Sequence, residues 1–156
     1  NKSLFCSKIY NSISLKPFIM SIRKLLTAGT IGGILFFLFG WVVYDILLKD
    51  YFFKHSGAAG HLERIDIEMT TVFLGSLLQG YIYAYVFTKA NVESLKAGLI
   101  TGGILGFLMI SAFDCMMYGT TLILSKHSLV ADILASTSIA IVVGAIIGWV
   151  LYKIKK

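Results

Sequence analysis

Charge, proline, cysteine and catalytic signatures are all scarce in this chain, and each shortage excludes something. Charged residues make up 14% of the 156 positions while 57% are hydrophobic; a soluble domain carries roughly 25% charge. That balance leaves no room for a sizeable water-soluble domain. The single proline, Pro17, precedes every long apolar stretch, so none of those stretches carries a proline kink. The two cysteines, Cys6 and Cys115, cannot build a disulfide framework, and neither has a metal-binding spacing. No HExxH, GxSxG, Walker or GxGxxG pattern occurs. The sequence therefore points to no enzyme, no catalytic residue, no metal site and no cofactor. The formal charge of +6 does not point to nucleic acid either. The basic residues stand at the ends of apolar stretches rather than along one polar face.

What the chain does have is four long apolar stretches, Leu25–Leu48, Met69–Phe87, Ala97–Leu124 and Val130–Tyr152. A bilayer crossing needs about 20 residues at 1.5 Å rise. The expectation is an all-α, four-transmembrane-helix bundle whose first partner is the lipid bilayer. Residues 1–19 read as an N-terminal tail, set apart from a four-span membrane domain over 20–156. Met20 followed by Ser-Ile-Arg-Lys-Leu-Leu has the form of a native start. The first stretch is too long for the apolar core of a cleaved signal peptide and reads as a retained signal anchor. Lys49–Glu68 is the one substantial connection, and its opening Lys-Asp-Tyr-Phe-Phe-Lys-His is interfacial in character. The connections Thr88–Lys96 and Ser125–Leu129 are tight, so consecutive helices should pack antiparallel.

Orientation follows from the basic residues near the span ends. Arg23, Lys24, Lys89, Lys96, Lys153, Lys155 and Lys156 fall on one side; Lys49, Lys54, Arg64 and Lys126 fall on the other. The positive-inside rule puts the richer side, and with it both termini, in the cytoplasm.

Small residues recur at four-residue spacing in each stretch. They include Gly29 and Gly33 in the first, Gly80 in the second, Gly98, Gly102 and Gly106 in the third, and Gly144 and Gly148 in the fourth. In lipid, close backbone approach and dispersion drive helix association, and small residues permit it. These ridges either pack the monomer or form a homodimer face. Gly32-Gly33-Ile34-Leu35 also recurs as Gly102-Gly103-Ile104-Leu105, with Ala28-Gly29 and Ala97-Gly98 ahead of the two copies and Asp45 and Asp114 after them. That is the pattern of a duplicated helical hairpin, set against chance recurrence in apolar helices.

Asp114 is the one carboxyl well inside an apolar stretch. An aspartate at mid-membrane costs about 2.5–3.5 kcal/mol, so it should face the bundle interior. At helical spacing Ser111, Asp114, Tyr118 and Thr121 share its face. Candidate neighbours are Gln79, Tyr83 and Ser76 of the second stretch, Asp132 and Ser136 of the fourth, and Asp45 of the first. Asp45 is also placed to pair with Lys49 four residues on, and Asp132 to sit at a helix start where the dipole favours it. Asp114 is either a structural hydrogen-bond acceptor or a cation or proton site. His55, His61 and His127 lack a spacing that defines a metal site.

Phe39-Gly40-Trp41-Val42-Val43-Tyr44, Tyr51-Phe52, Phe113-Asp114, Met117-Tyr118-Gly119-Thr120, Leu129–Thr137 and Gly144–Trp149 together resemble small bacterial membrane proteins of the domain of unknown function 1761 type. The resemblance covers most of residues 21–152. It implies a four-span fold in the bacterial cytoplasmic membrane, and it brings no catalytic residues. The long aromatic connection Lys49–Glu68 departs from that pattern. Two functions remain open. One is a structural or accessory membrane protein, acting as a homodimer or within a larger membrane complex. The other is a small ion- or proton-coupled transporter or channel using Asp114.

Overall fold

The computed structural model describes residues 22–60, 64 and 66–155. The expectation of a tail over residues 1–19 lies outside them, as does His61. The described residues are helical almost throughout: α1 (Ile22–Trp41), a π-helical turn (Val42–Leu47), α2 (Lys49–Lys54), α3 (Met69–Lys89), α4 (Leu95–Thr120) and α5 (Lys126–Lys155). Three of these segments are long and apolar enough to cross a membrane: Ile22–Leu47, Leu95–Thr120 and Lys126–Ile154. That is the pattern of a multi-pass membrane protein. Helix α3 has the length, with 21 residues. Its Thr70, Thr71, Ser76, Gln79 and three tyrosines keep it out of that set of three.

Several boundaries differ from those read off the apolar runs, and local hydrogen bonding explains each difference. The first span does not run as one α-helix to Leu48. Leu48 N–H bonds Val43 O at 2.8 Å, five residues back, which is the π pattern, and the chain then breaks into the short α2. Helix α4 stops at Thr120. Thr121 is extended, and the Thr120 and Thr121 hydroxyls bond back to Met116 O and Met117 O at 2.7 and 2.8 Å. Helix α5 starts four residues earlier than Val130. Ser125 and Ser128 cap it reciprocally, Ser125 N–H donating to Ser128 Oγ at 2.8 Å and Ser128 N–H to Ser125 Oγ at 3.2 Å, a capping-box arrangement.

The α3–α4 connection is a built turn. Val92 N–H bonds Phe87 O at 2.9 Å, Asn91 N–H faces Thr88 O at 3.4 Å, and Asn91 holds φ 53°. This is a Schellman end with asparagine in the left-handed position; its apolar pair, Phe87 and Val92, is buried. Ser94 then caps α4, its Oγ accepting from Ala97 N–H at 3.1 Å.

Packing is heaviest within two antiparallel pairs, α1 with α3 and α4 with α5; α1 and α5 join the pairs, and α3 barely touches α4. Glycine makes both pairings close. A Cβ on Gly33 would sit 2.6 Å from Leu77 Cα, and one on Gly80 2.6 Å from Gly33 Cα. In the second pair, a Cβ on Gly102 would meet Gly144 Cα at 2.8 Å, and one on Gly148 would meet Gly98 Cα at 3.0 Å. Gly29 lies under the Tyr81 ring, and Gly106 against Ala140 and the Tyr83 hydroxyl. The ridges are thus consumed inside the monomer. Tyr83 and Phe87 of α3 and Val143, Ile147 and Leu151 of α5 form the core with Ala28 and Phe36 of α1. The two ends are tied separately. Lys24 pairs with Glu93 at 3.2 Å at one end. At the other, Gly57 N–H and Ala59 N–H bond Ile123 O and Leu122 O at 2.7 and 3.0 Å.

Candidate functional site: a carboxyl pair between helices

The register of the α4–α5 pair places the site. Gly98 lies against Gly148, Gly102 against Gly144 and Gly106 against Ala140, so four residues up α4 correspond to four down α5. Two more such steps bring Asp114 to Asp132. Asp114 is 2% exposed, and the glycine register sets its side chain opposite Asp132. The polar side chain therefore faces another helix rather than lipid, as the desolvation cost requires.

Asp132 is well supplied with donors. Tyr44 Oη donates to Asp132 Oδ1, Ser136 Oγ lies 3.3 Å from the same oxygen, and the Tyr44 and Ser136 hydroxyls are 2.6 Å apart. The π-helical turn carries Tyr44. Such a turn accommodates an extra residue and changes the face on which the following side chains emerge; π turns concentrate at functional sites. Here the tyrosine reaches across to α5 and stacks loosely on Phe52, the ring centroids 5.6 Å apart. Asp114 has the opposite situation. Its Oδ2 is buried with no hydrogen-bond donor, and the Ser111 and Thr137 hydroxyl oxygens are likewise buried without partners.

Of the residues singled out in the sequence, the structure brings together Asp114, Asp132 and Ser136. Ser111 lies one turn before Asp114 with its hydroxyl buried, whereas Tyr118, Gln79, Tyr83 and Asp45 do not join them. Tyr118 is 39% exposed; sharing a helix face with Asp114 does not carry it into the α4–α5 seam. Gln79 makes no hydrogen bond among the described residues. Tyr83 points to Gly102 O, at 3.5 Å, and not to Asp114. Asp45 has no ion pair with Lys49 among the described residues, because the π turn and the break at Leu48 remove the α-helical spacing on which that pairing depends. Asp132 is not at a helix start; with the cap at Ser125 it lies in the second turn of α5. Tyr44 is the participant that the sequence reading missed. It sits beside Asp45 in an aromatic stretch, where a tyrosine reads as an interfacial anchor.

A shallow apolar groove lined by Leu48, Tyr51, Ala131, Leu134, Ala135 and Ser138 flanks the site between α2 and α5. Neither carboxyl lines it. His55 stacks on Tyr51 and lies 5.7 Å, ring to ring, from His127, but no group of three or more metal-binding side chains occurs among the described residues.

No family model matches the chain, and no curated protein or solved structure does so.

Tyr44→Phe removes the phenol hydrogen bonds that tie the π turn to α5. The expected loss is about 1–2 kcal/mol of unfolding free energy, the range for a membrane-buried hydrogen bond to a polar partner. Chemical unfolding in detergent micelles measures it. A loss below the error of the method would show that Asp132 is held without the phenol.

Proposed function

We propose that this is a four-span integral membrane protein with a structural or accessory role, both termini cytoplasmic, in the bacterial cytoplasmic membrane that the family resemblance implies. Helix α3 is the fourth span in this reading. Its length, its antiparallel packing on α1 and the consumption of its Gly80 in that contact support the assignment. Glycines make the close approach in both helix pairs, Gly33 with Gly80 and Gly102 with Gly144. The asymmetry of Lys and Arg between the two ends supports the orientation. In a cysteine-free background, a cysteine at Ser56 should react with an impermeant thiol reagent added outside intact cells, and one at Ala90 should not. Ala90 serves better than Asn91, whose positive φ resists substitution. External labelling at Ala90 would reverse the orientation.

The observation that carries the accessory reading is the burial of Asp114 against another helix. A carboxyl that serves passage of an ion needs contact with water at some stage. The apolar groove beside this pair contains neither Asp114 nor Asp132. The accessory reading expects purified protein in liposomes to give no proton, sodium, potassium or chloride flux above empty vesicles. Transport is the second reading, favoured by the donor-less Asp114 Oδ2. A flux that Asp114→Asn abolishes would establish it in place of the first.

A further inference from the structure

We propose that Asp114 and Asp132 bind one proton between them, forming a proton-held latch that joins α4 to α5 and, through Tyr44, to the first helix. The argument is a count of donors. An ionised carboxylate only accepts hydrogen bonds. Asp132 takes donors from Tyr44 and Ser136. Asp114 Oδ2 is buried and has none, yet the α4–α5 register sets its side chain opposite the Asp132 carboxyl. Two ionised carboxylates in contact inside a bundle repel, and a buried charge with no donor is costly. One proton resolves both problems: a neutral Asp114 donates O–H to an ionised Asp132, and the pair carries a single negative charge. Asp114 is the member that takes the proton, because its buried oxygen is the one that no donor reaches. No lysine or arginine supplies the compensation instead, since neither carboxyl takes part in a salt bridge among the described residues. The titratable groups beside Asp114 are Asp132 of α5, opposite it in the register, and the Tyr44 phenol of the π turn, which donates to Asp132. The inference does not depend on whether the protein transports anything.

Infrared spectroscopy of the full chain, purified in lipid at neutral pH, reads the proton directly. The wild type should show a protonated-carboxyl C=O band, and Asp114→Asn should abolish it. Asp114→Asn is the informative variant because its amide supplies a donor to Asp132 without an ionisable proton. It should therefore retain helical circular dichroism and cooperative melting. If Asp114→Asn does not fold, Asp132→Asn serves instead: the proton lies on Asp114, so the band should remain and shift in frequency as its hydrogen-bond acceptor changes. Absence of the band from the wild type would overturn the proposal. So would its persistence in folded Asp114→Asn, or an unshifted band in folded Asp132→Asn. If the band is absent and the melting temperature instead rises with sodium at fixed ionic strength, the bound cation is sodium, and the proton latch is refuted.

Discussion

Gly144→Val is expected to cost at least about 3 kcal/mol of unfolding free energy, at or above the usual range for overpacking. The added Cβ would lie 2.7 Å from Gly102 Cα and 2.7 Å from Gly98 O. Both are backbone atoms of the facing helix and cannot rotate away. Helices α4 and α5 must then move apart along their length, loosening the contacts at Gly98, Gly102 and Gly106 together. In lipid there is little hydrophobic gain to recover by repacking, because tails solvate apolar side chains as well as a neighbouring helix does. Unfolding in mixed micelles gives the loss, and a cysteine pair across the seam would report the separation. Gly75→Ala is the control. Nothing lies within 4 Å of the position its Cβ would occupy, so the change should be neutral or stabilise α3 by up to about 1 kcal/mol through helix propensity. Equal losses at Gly75 and Gly144 would show that glycine flexibility, not close approach, is what the bundle uses.

Tyr83→Ala should cost about 3–5 kcal/mol, the range for truncating a large buried aromatic. Tyr83 is fully buried. Its ring meets Phe36 edge-on at 4.9 Å and Phe87 at 6.0 Å, and its hydroxyl lies against the Gly106 site of α4. This one side chain of α3 therefore touches both α1 and α4, two helices that otherwise meet little. Tyr83→Phe should lose less than about 1 kcal/mol, since the bond to Gly102 O is long at 3.5 Å and weak. A Phe variant as damaged as the Ala variant would move the weight from packing to the hydroxyl.

The helical architecture was legible because lipid leaves the backbone few options, and apolar runs of that length are hard to misread. Asp114 was legible for a related reason: a carboxyl in such a run needs a partner. Its partner was harder to foresee. Spacing along one helix fixes which residues share a face, and so grouped Ser111, Asp114, Tyr118 and Thr121, but it says nothing of which helix lies opposite. The α4–α5 register, set by the glycines, decides that Asp132 faces Asp114. Tyr44 stayed hidden because nothing in Val42–Leu47 announces a π turn; a wider turn reflects tertiary packing, not local propensity. The same turn defeated the reading of Asp45 with Lys49. The early start of α5 was available in the Ser125 and Ser128 pair, but a window tuned to hydropathy passes over polar caps.

The division of contacts into two heavily packed pairs bears on how the chain is made. Each pair joins segments adjacent in sequence, so α1 and α3 can close on one another before α4 has left the ribosome. The second pair closes in turn through Gly98, Gly102, Gly144 and Gly148. The halves can then meet across α1 and α5. There the Tyr44 hydroxyl joins Asp132 and Ser136, and at the same end Gly57 and Ala59 bond Ile123 and Leu122. Apolar packing builds each half without fixing a direction, so directional polar contacts are what align one half with the other.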